Sequence, residues 1–155
     1  MIFFQNEKIM NKKQLCNLML DILTEYIIDP YYDIPYLAGY NKQGTKIYLD
    51  KDLSFFFLRF PVYELLLVHQ YIEKTEIDKG KDHKAAHEKA TYLEKAACMA
   101  MGLNIDNYKS FMKTQSKTAD CPGLIHLPVD LDLTAYTGKS DYEKLKKMFF
   151  DKHCH

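Results

Sequence analysis

His69 and Glu73 lie four residues apart in a stretch that reads as a helix, so they share one face of it. Imidazole and carboxylate at that spacing are what a helix offers to a single metal ion. His87 and Glu94 follow on a second predicted helix, Glu94 coming 21 residues after Glu73. A turn centred near residue 81 sets His69 opposite Glu94 and brings Glu73 nearer His87. All four then face the space between the helices. They do not all fit one ion. His87 and Glu94 are seven residues apart, about 10.5 Å of helical rise, whereas metal–ligand bonds are only about 2 Å, and Thr91 stands between them. The expected ligands are therefore His69, Glu73 and Glu94. His87 is left as an outer partner, an acid/base or a surface residue. This donor set suits Zn²⁺ first, with Fe²⁺ or Mn²⁺ as alternatives.

Metal-assisted hydrolysis is the chemistry such a cluster can support, and it needs a base. Gln70, next to His69, cannot accept a proton at neutral pH. Glu73 can serve if it is not a ligand, and His87 if it reaches inward. Tyr71 and Tyr92 are candidate oxyanion donors, although with 12 tyrosines in the chain most must be packing residues.

The elements that must position these residues follow from periodicity and caps. Pro61 suits the first position of a helix running to about Lys79, with Gly80 as its C-terminal cap. Leu65, Val68 and Ile72 form its apolar face, widened by Leu66. Asp82 can cap a second helix that reaches about Met101 and stops at Gly102. Its packing face, Ala86, Ala90, Leu93, Ala97 and Met101, is small enough for close approach. This hairpin, 61–102, is the metal-carrying unit. Upstream, the spacing of Leu15, Leu18, Met19, Ile22 and Tyr26 predicts a helix over 11–28, ended by Pro30. Residues 29–41 read as an irregular Pro- and Tyr-rich connection. Residues 45–49 alternate like a half-buried strand, with 36–40 as a hairpin partner. Residues 50–60 fit either a short strand at 55–58 or a buried loop. Downstream, Asp106 can cap a helix over about 107–115, 116–140 is a less regular extended segment, and a last helix covers about 141–151. The sum is one α+β domain over 1–155, mostly helical, with a small strand or hairpin beside a helical hairpin.

A strand, a helix with two ligands four apart, and a second helix with a Glu about twenty residues on resemble the glutamate-zincin metallopeptidases. The resemblance covers about residues 45–102. In that family the first helix carries H-E-x-x-H, and here the run is His69-Gln70-Tyr71-Ile72-Glu73. His69 matches the first ligand, Glu73 replaces the second histidine with an oxygen ligand, and Glu94 matches the third in type and spacing. The resemblance implies a zincin-like fold, a zinc ion, and a peptide or protein substrate. The family's base is the Glu after the first His. That position is Gln70, so a hydrolase of this kind lacks its usual base. The strand of a zincin borders the substrate cleft and can pair with an extended peptide. Asp50 closes the strand here and is placed to orient His69 through its other ring nitrogen.

Bulk properties narrow the classes. With 155 residues, 47% apolar and 14% aromatic, the chain can bury a core and is not a disordered segment. Lys plus Arg and Asp plus Glu are both 21, which argues against a dedicated nucleic-acid partner. No apolar run approaches the ~20 residues of a membrane span, so no membrane partner is expected. The start lacks a signal-peptide layout and Met10 is an alternative initiator, so the expectation is cytoplasmic, or exported without a classical signal. Cys16, Cys98, Cys121 and Cys154 form no CxxC and read as free thiols. His153-Cys154-His155 reads as a frayed end, Cys121 with His126 as a loop, and Asp130 and Asp132 as turn caps. The rival to a metalloprotein is a non-catalytic interaction protein, such as a phage or mobile-element component or a secreted effector, whose hairpin is plain core. A third class uses the metal only as a structural staple.

Overall fold

Asn11 starts the first helix. Its side chain accepts the Gln14 backbone N–H while the Gln14 side chain accepts that of Asn11, a reciprocal capping box. In the computed structural model, which describes residues 10–55 and 62–153, helix α1 then spans Lys12–Glu25. It does not continue to residue 28. Ile27 turns its N–H to the Thr45 carbonyl, and β-branched Ile27 and Ile28 enter strand β1, Ile27–Tyr32. Strands β2, Ala38–Tyr40, and β3, Lys46–Asp50, complete a three-stranded sheet in the order β1-β3-β2. β1 runs parallel to β3 and β2 antiparallel to it. The predicted hairpin partner is thus present as β2, whereas β1 takes the first part of the expected irregular connection and a 3₁₀ turn, Pro35–Leu37, follows it. Pro30 is tolerated because β1 lies at the edge of the sheet.

The central position of β3 has a functional consequence. Both its edges are already paired, so it has no free edge for an extended peptide, contrary to the pairing expected of a zincin-like strand. The side chains of β3 alternate between two cores. Ile47 and Leu49 face a main core with Ile22, Leu65, Val68 and Cys98. Tyr48 faces a second core with Ile34, Leu131, Tyr136 and Leu145.

The helical hairpin follows its sequence signals. Helix α2 is Val62–Asp78 and helix α3 is His83–Ala100. Of the strand or loop expected at 55–58, Phe55 instead ends a 3₁₀ helix, Lys51–Phe55, and residues 56–58, like Pro61, expected to start the first of these helices, lie outside the described residues. Gly80, at φ +95°, lets the Lys81 N–H reach the Glu76 carbonyl. Asp82 caps α3 by accepting the Ala85 N–H at 2.8 Å. Ala86, Ala90 and Ala97 are fully buried along α3, and α2 and α3 lie in close contact. Buried Glu76 clamps the turn, with Lys81 at 2.6 Å and Lys89 at 2.7 Å. Helix α4 is Ile105–Gln115, and its cap is Asn104 rather than Asp106: the Asn104 side chain accepts the N–H groups of Asp106 and Asn107. Residues 116–141 stay largely irregular apart from a 3₁₀ turn at Leu133–Tyr136. Helix α5, Tyr142–His153, ends the described chain. The fold class is α+β, as read from the sequence. Cys16, Cys98 and Cys121 are free thiols. No helix among the described residues is long and apolar enough to cross a membrane.

One buried ion cluster ties the irregular segment to the sheet. The Lys117 ammonium meets Asp33 at 2.8 Å, Asp50 at 3.0 Å and Asp52 at 2.6 Å. Burial alone would drive the proton off Lys117, but its bonds to the three carboxylates hold its pKa above the usual range. The Lys117 carbonyl accepts the Tyr36 N–H, at a turn where Tyr36 and Leu37 both have positive φ.

Candidate metal centre

Helix α2 presents His69, Gln70 and Glu73, and α3 presents His87, Thr91 and Glu94 across the alanine-lined seam. His69 Nδ1 lies 2.8 Å from Glu94 Oε1, and His87 Nδ1 lies 2.9 Å from Glu73 Oε2. That pairing is the one a turn near residue 81 dictates. Glu73 Oε2 is also 3.2 Å from His69 Nε2. One carboxylate oxygen therefore stands between two imidazole nitrogens. Ligand atoms of His69, Glu73 and His87 all lie within 4.8 Å of one another. A tetrahedral ion with bonds of about 2.0–2.1 Å spaces its ligands about 3.3 Å apart, so the two short separations already have the right scale. His69, Glu73 and His87 form a group that can hold a metal ion.

The set that converges is not the one expected from spacing. His87, not Glu94, completes the cluster. Glu94 occupies the far side of the His69 ring, at the nitrogen that would not bind metal. Only one of the two can join because they are seven residues apart. His87 takes that place with Nδ1 2.9 Å from Glu73 Oε2, while Glu94 is held at His69 Nδ1.

The other atoms of the prospective ligands are also held. Glu94, which fixes His69, accepts the Tyr108 hydroxyl from α4. The second Glu73 oxygen accepts the Tyr40 hydroxyl from β2 at 3.2 Å and lies 3.6 Å from His83 Nε2. His83 Nε2 donates to the Ala135 carbonyl, so that nitrogen is not a free ligand. A carboxylate behind a ligating imidazole fixes its tautomer and raises its basicity.

Without a metal, the charges balance differently. Burial disfavours the His69 imidazolium, but hydrogen bonds to Glu73 and Glu94 outweigh it and raise the pKa to about 9. Burial likewise opposes the Glu73 carboxylate, yet the bonds from His69 and His87 hold it down. Burial, followed by Glu94, pushes the Tyr108 hydroxyl far above its usual range, and Tyr40 is raised by burial and Glu73. Both phenols remain donors.

The cluster opens onto a cleft of about 540 Å³. Leu66, Ile105 and Met112 supply apolar lining, and Tyr36 and Tyr136 add aromatic rings. Tyr136 donates to the Ala38 carbonyl at 2.8 Å, an approach allowed because Gly39 has no Cβ to meet the ring. Gln70 lines the cleft, is 8% exposed, and its Oε1 has no partner among the described residues.

Other expected residues lie elsewhere. Asp50 does not reach His69: its oxygens accept the Ile34 N–H, the Asp52 N–H and the Lys117 ammonium. The chain leaves β3 toward the irregular segment, away from the hairpin seam. Tyr71 turns its hydroxyl to Glu25 at 3.1 Å, and Tyr92 does not line the cleft. Asp130 receives the Tyr48 hydroxyl and Asp132 caps the 3₁₀ turn, both structural uses. His153 belongs to α5 and packs against Phe149; Cys154 and His155 lie outside the described residues. Sequence reasoning missed Tyr40, Tyr108 and His83. Nothing distinguished the two tyrosines from the other ten. His83 did carry a signal, standing four residues before His87, and the two rings stack at 6.1 Å. No known protein family, curated protein or solved structure matches the chain.

Proposed function

We propose that this protein binds one divalent metal ion through His69, Glu73 and His87, with zinc the favoured ion, and that it is a zincin-like metallohydrolase of peptide bonds working without the usual glutamate base. One observation supports the metal above all. Three ligand atoms converge at the wall of a cleft while the opposite side of His69 and the other oxygen of Glu73 are fixed by protein groups. Two nitrogens and one carboxylate oxygen are a donor set that leaves zinc an open position. When bound, such an ion supplies a water of lowered pKa and a Lewis acid for a carbonyl. The chain's own part is to orient both imidazoles and keep Glu73 ionised, to give up on metal binding the proton that Glu73 and Glu94 favour on His69, and to place Gln70 in the same cleft. Glu94 is committed to His69 and Tyr108, and Glu73 to the cluster, so neither is free to take a proton. Gln70 can orient a water or a substrate amide but cannot be the base.

Metal content by elemental mass spectrometry on tag-free protein tests the first step. We expect about one ion per chain, lost in His69→Ala, with a circular dichroism spectrum unchanged in the variant. Wild-type protein refolded with zinc, iron or manganese that carries no metal would overturn the reading. A second reading rests on a specific observation: a protonated His69 satisfies Glu73 and Glu94 without any ion. On that reading the cluster is a charged staple inside a non-catalytic interaction protein. Bound metal with no exchangeable position would instead mark a structural staple.

A further inference from the structure

The cleft beside the cluster has an uneven charge. Lys95 from α3, Lys109 and Lys113 from α4, and Lys139 after the 3₁₀ turn all line it. None of these four has a carboxylate within ion-pair distance among the described residues, unlike Lys46, Lys81 and Lys117, which are paired, and these four are gathered around one cleft. Lys139 instead sits 4.4 Å over the Tyr36 ring. The two carboxylates in the cleft, Glu73 and Glu94, are both consumed by His69 and its neighbours. In a chain with no net charge, four unpaired ammonium groups around one concavity make a local positive field. Thr91, Ser116 and Thr118 add hydroxyls to the same lining.

Gln70 points to the other half of a ligand. Its side chain is more than nine-tenths buried, lines the cleft on the next residue after His69, and has an oxygen with no partner. A buried polar atom of this kind gains most from a ligand that brings the missing hydrogen bond.

We infer that the cleft receives a small organic anion, its carboxylate or phosphate held among Lys95, Lys109, Lys113 and Lys139, its apolar part over Leu66, Ile105 and Met112, and a hydrogen-bonding group at Gln70. The inference rests on the metal reading in taking this anion as the substrate of the His69–Glu73–His87 centre. A free peptide C-terminus and a phosphate ester share the chemistry required.

The test is binding at low ionic strength of benzoylglycine, its uncharged primary amide, and phenyl phosphate, followed by calorimetry, with metal content measured on the same samples. At least one anion should bind saturably, and the amide at least tenfold more weakly than benzoylglycine if the carboxylate is the anchor. Tighter phenyl phosphate would support the phosphate arm of the same proposal. Lys109→Glu/Lys113→Glu should weaken the anion at least tenfold and keep its metal, while Lys12→Glu/Lys13→Glu, an equal charge change on α1, should not weaken it. No saturable anion binding, or equal losses in both double variants, would overturn the inference while a metal-loaded wild type leaves the metal reading standing. A wild type without metal would overturn that reading and with it the anion's role as substrate, while anion binding there would still support the cleft as an anion site.

Discussion

Glu94 carries more of the site than its distance from the cluster suggests. It meets His69 Nδ1 at 2.8 Å and receives the Tyr108 hydroxyl, so it decides which His69 nitrogen faces Glu73. Glu94→Gln keeps the size but can offer an N–H to His69 where a carboxylate offered only acceptors. Metal affinity should fall about 10–100-fold, the usual cost of losing such a partner. Tyr108→Phe, which leaves the carboxylate in place, should cost less. Competition with a chromophoric chelator measures both. Equal affinity in Glu94→Gln and wild type would mean that Glu94 does not orient the ligand. The sequence placed Glu94 opposite His69 correctly, because a helical hairpin fixes which residues are level. Helical spacing could not settle whether Glu94 or His87 joins the cluster, because both occupy nearly one angular face.

The α2–α3 hairpin was the most legible element, and the same physics makes it vulnerable. Its apolar period, Asp82 cap and Gly80 turn are local signals, each with a direct counterpart in the fold. The fully buried alanines set how closely the helices approach. Ala90→Leu adds bulk to a closed seam and should destabilise the protein by about 1–3 kcal/mol. Because the cluster draws on both helices, metal affinity should fall with it. Ala85→Leu, on the exposed face of α3, is the matched control and should be near neutral. Thermal melts with and without metal read both effects. An Ala90→Leu protein as stable as wild type, with unchanged metal binding, would show that the seam does not position the ligands. Strand β1 was not legible for the opposite reason. It carries Pro30, has no alternating pattern, and is stabilised by a parallel partner, Lys46–Asp50, far along the chain. Only the assembled sheet makes it a strand.

For the molecule as a whole, a metal bound as proposed would compete with a proton for one place, and stability against pH separates them. In the metal-free protein His69 has a pKa raised from 6.5 to about 9. Its contribution is therefore complete below pH 6.5 and lost as pH rises through 9. Glu73 is lowered from 4.5 to about 2, so its contribution is present above pH 4.5 and lost as pH falls through 2. Glu76, held to about 2 because Lys81 and Lys89 outweigh its burial, acts in the same acidic window. The contribution of these groups to metal-free stability is greatest between pH 4.5 and 6.5, with roughly 1–3 kcal/mol lost from the His69 staple by pH 9. Metal needs His69 neutral, so binding releases its proton and strengthens with pH across that interval. Stabilisation by excess zinc follows its affinity. The melting temperature of metal-free protein should fall from pH 6.5 to 9 while the gain from added zinc grows. A zinc effect that is absent or flat over that range would leave the proton as the natural occupant of the cluster, and the hairpin as a charged scaffold for some other surface.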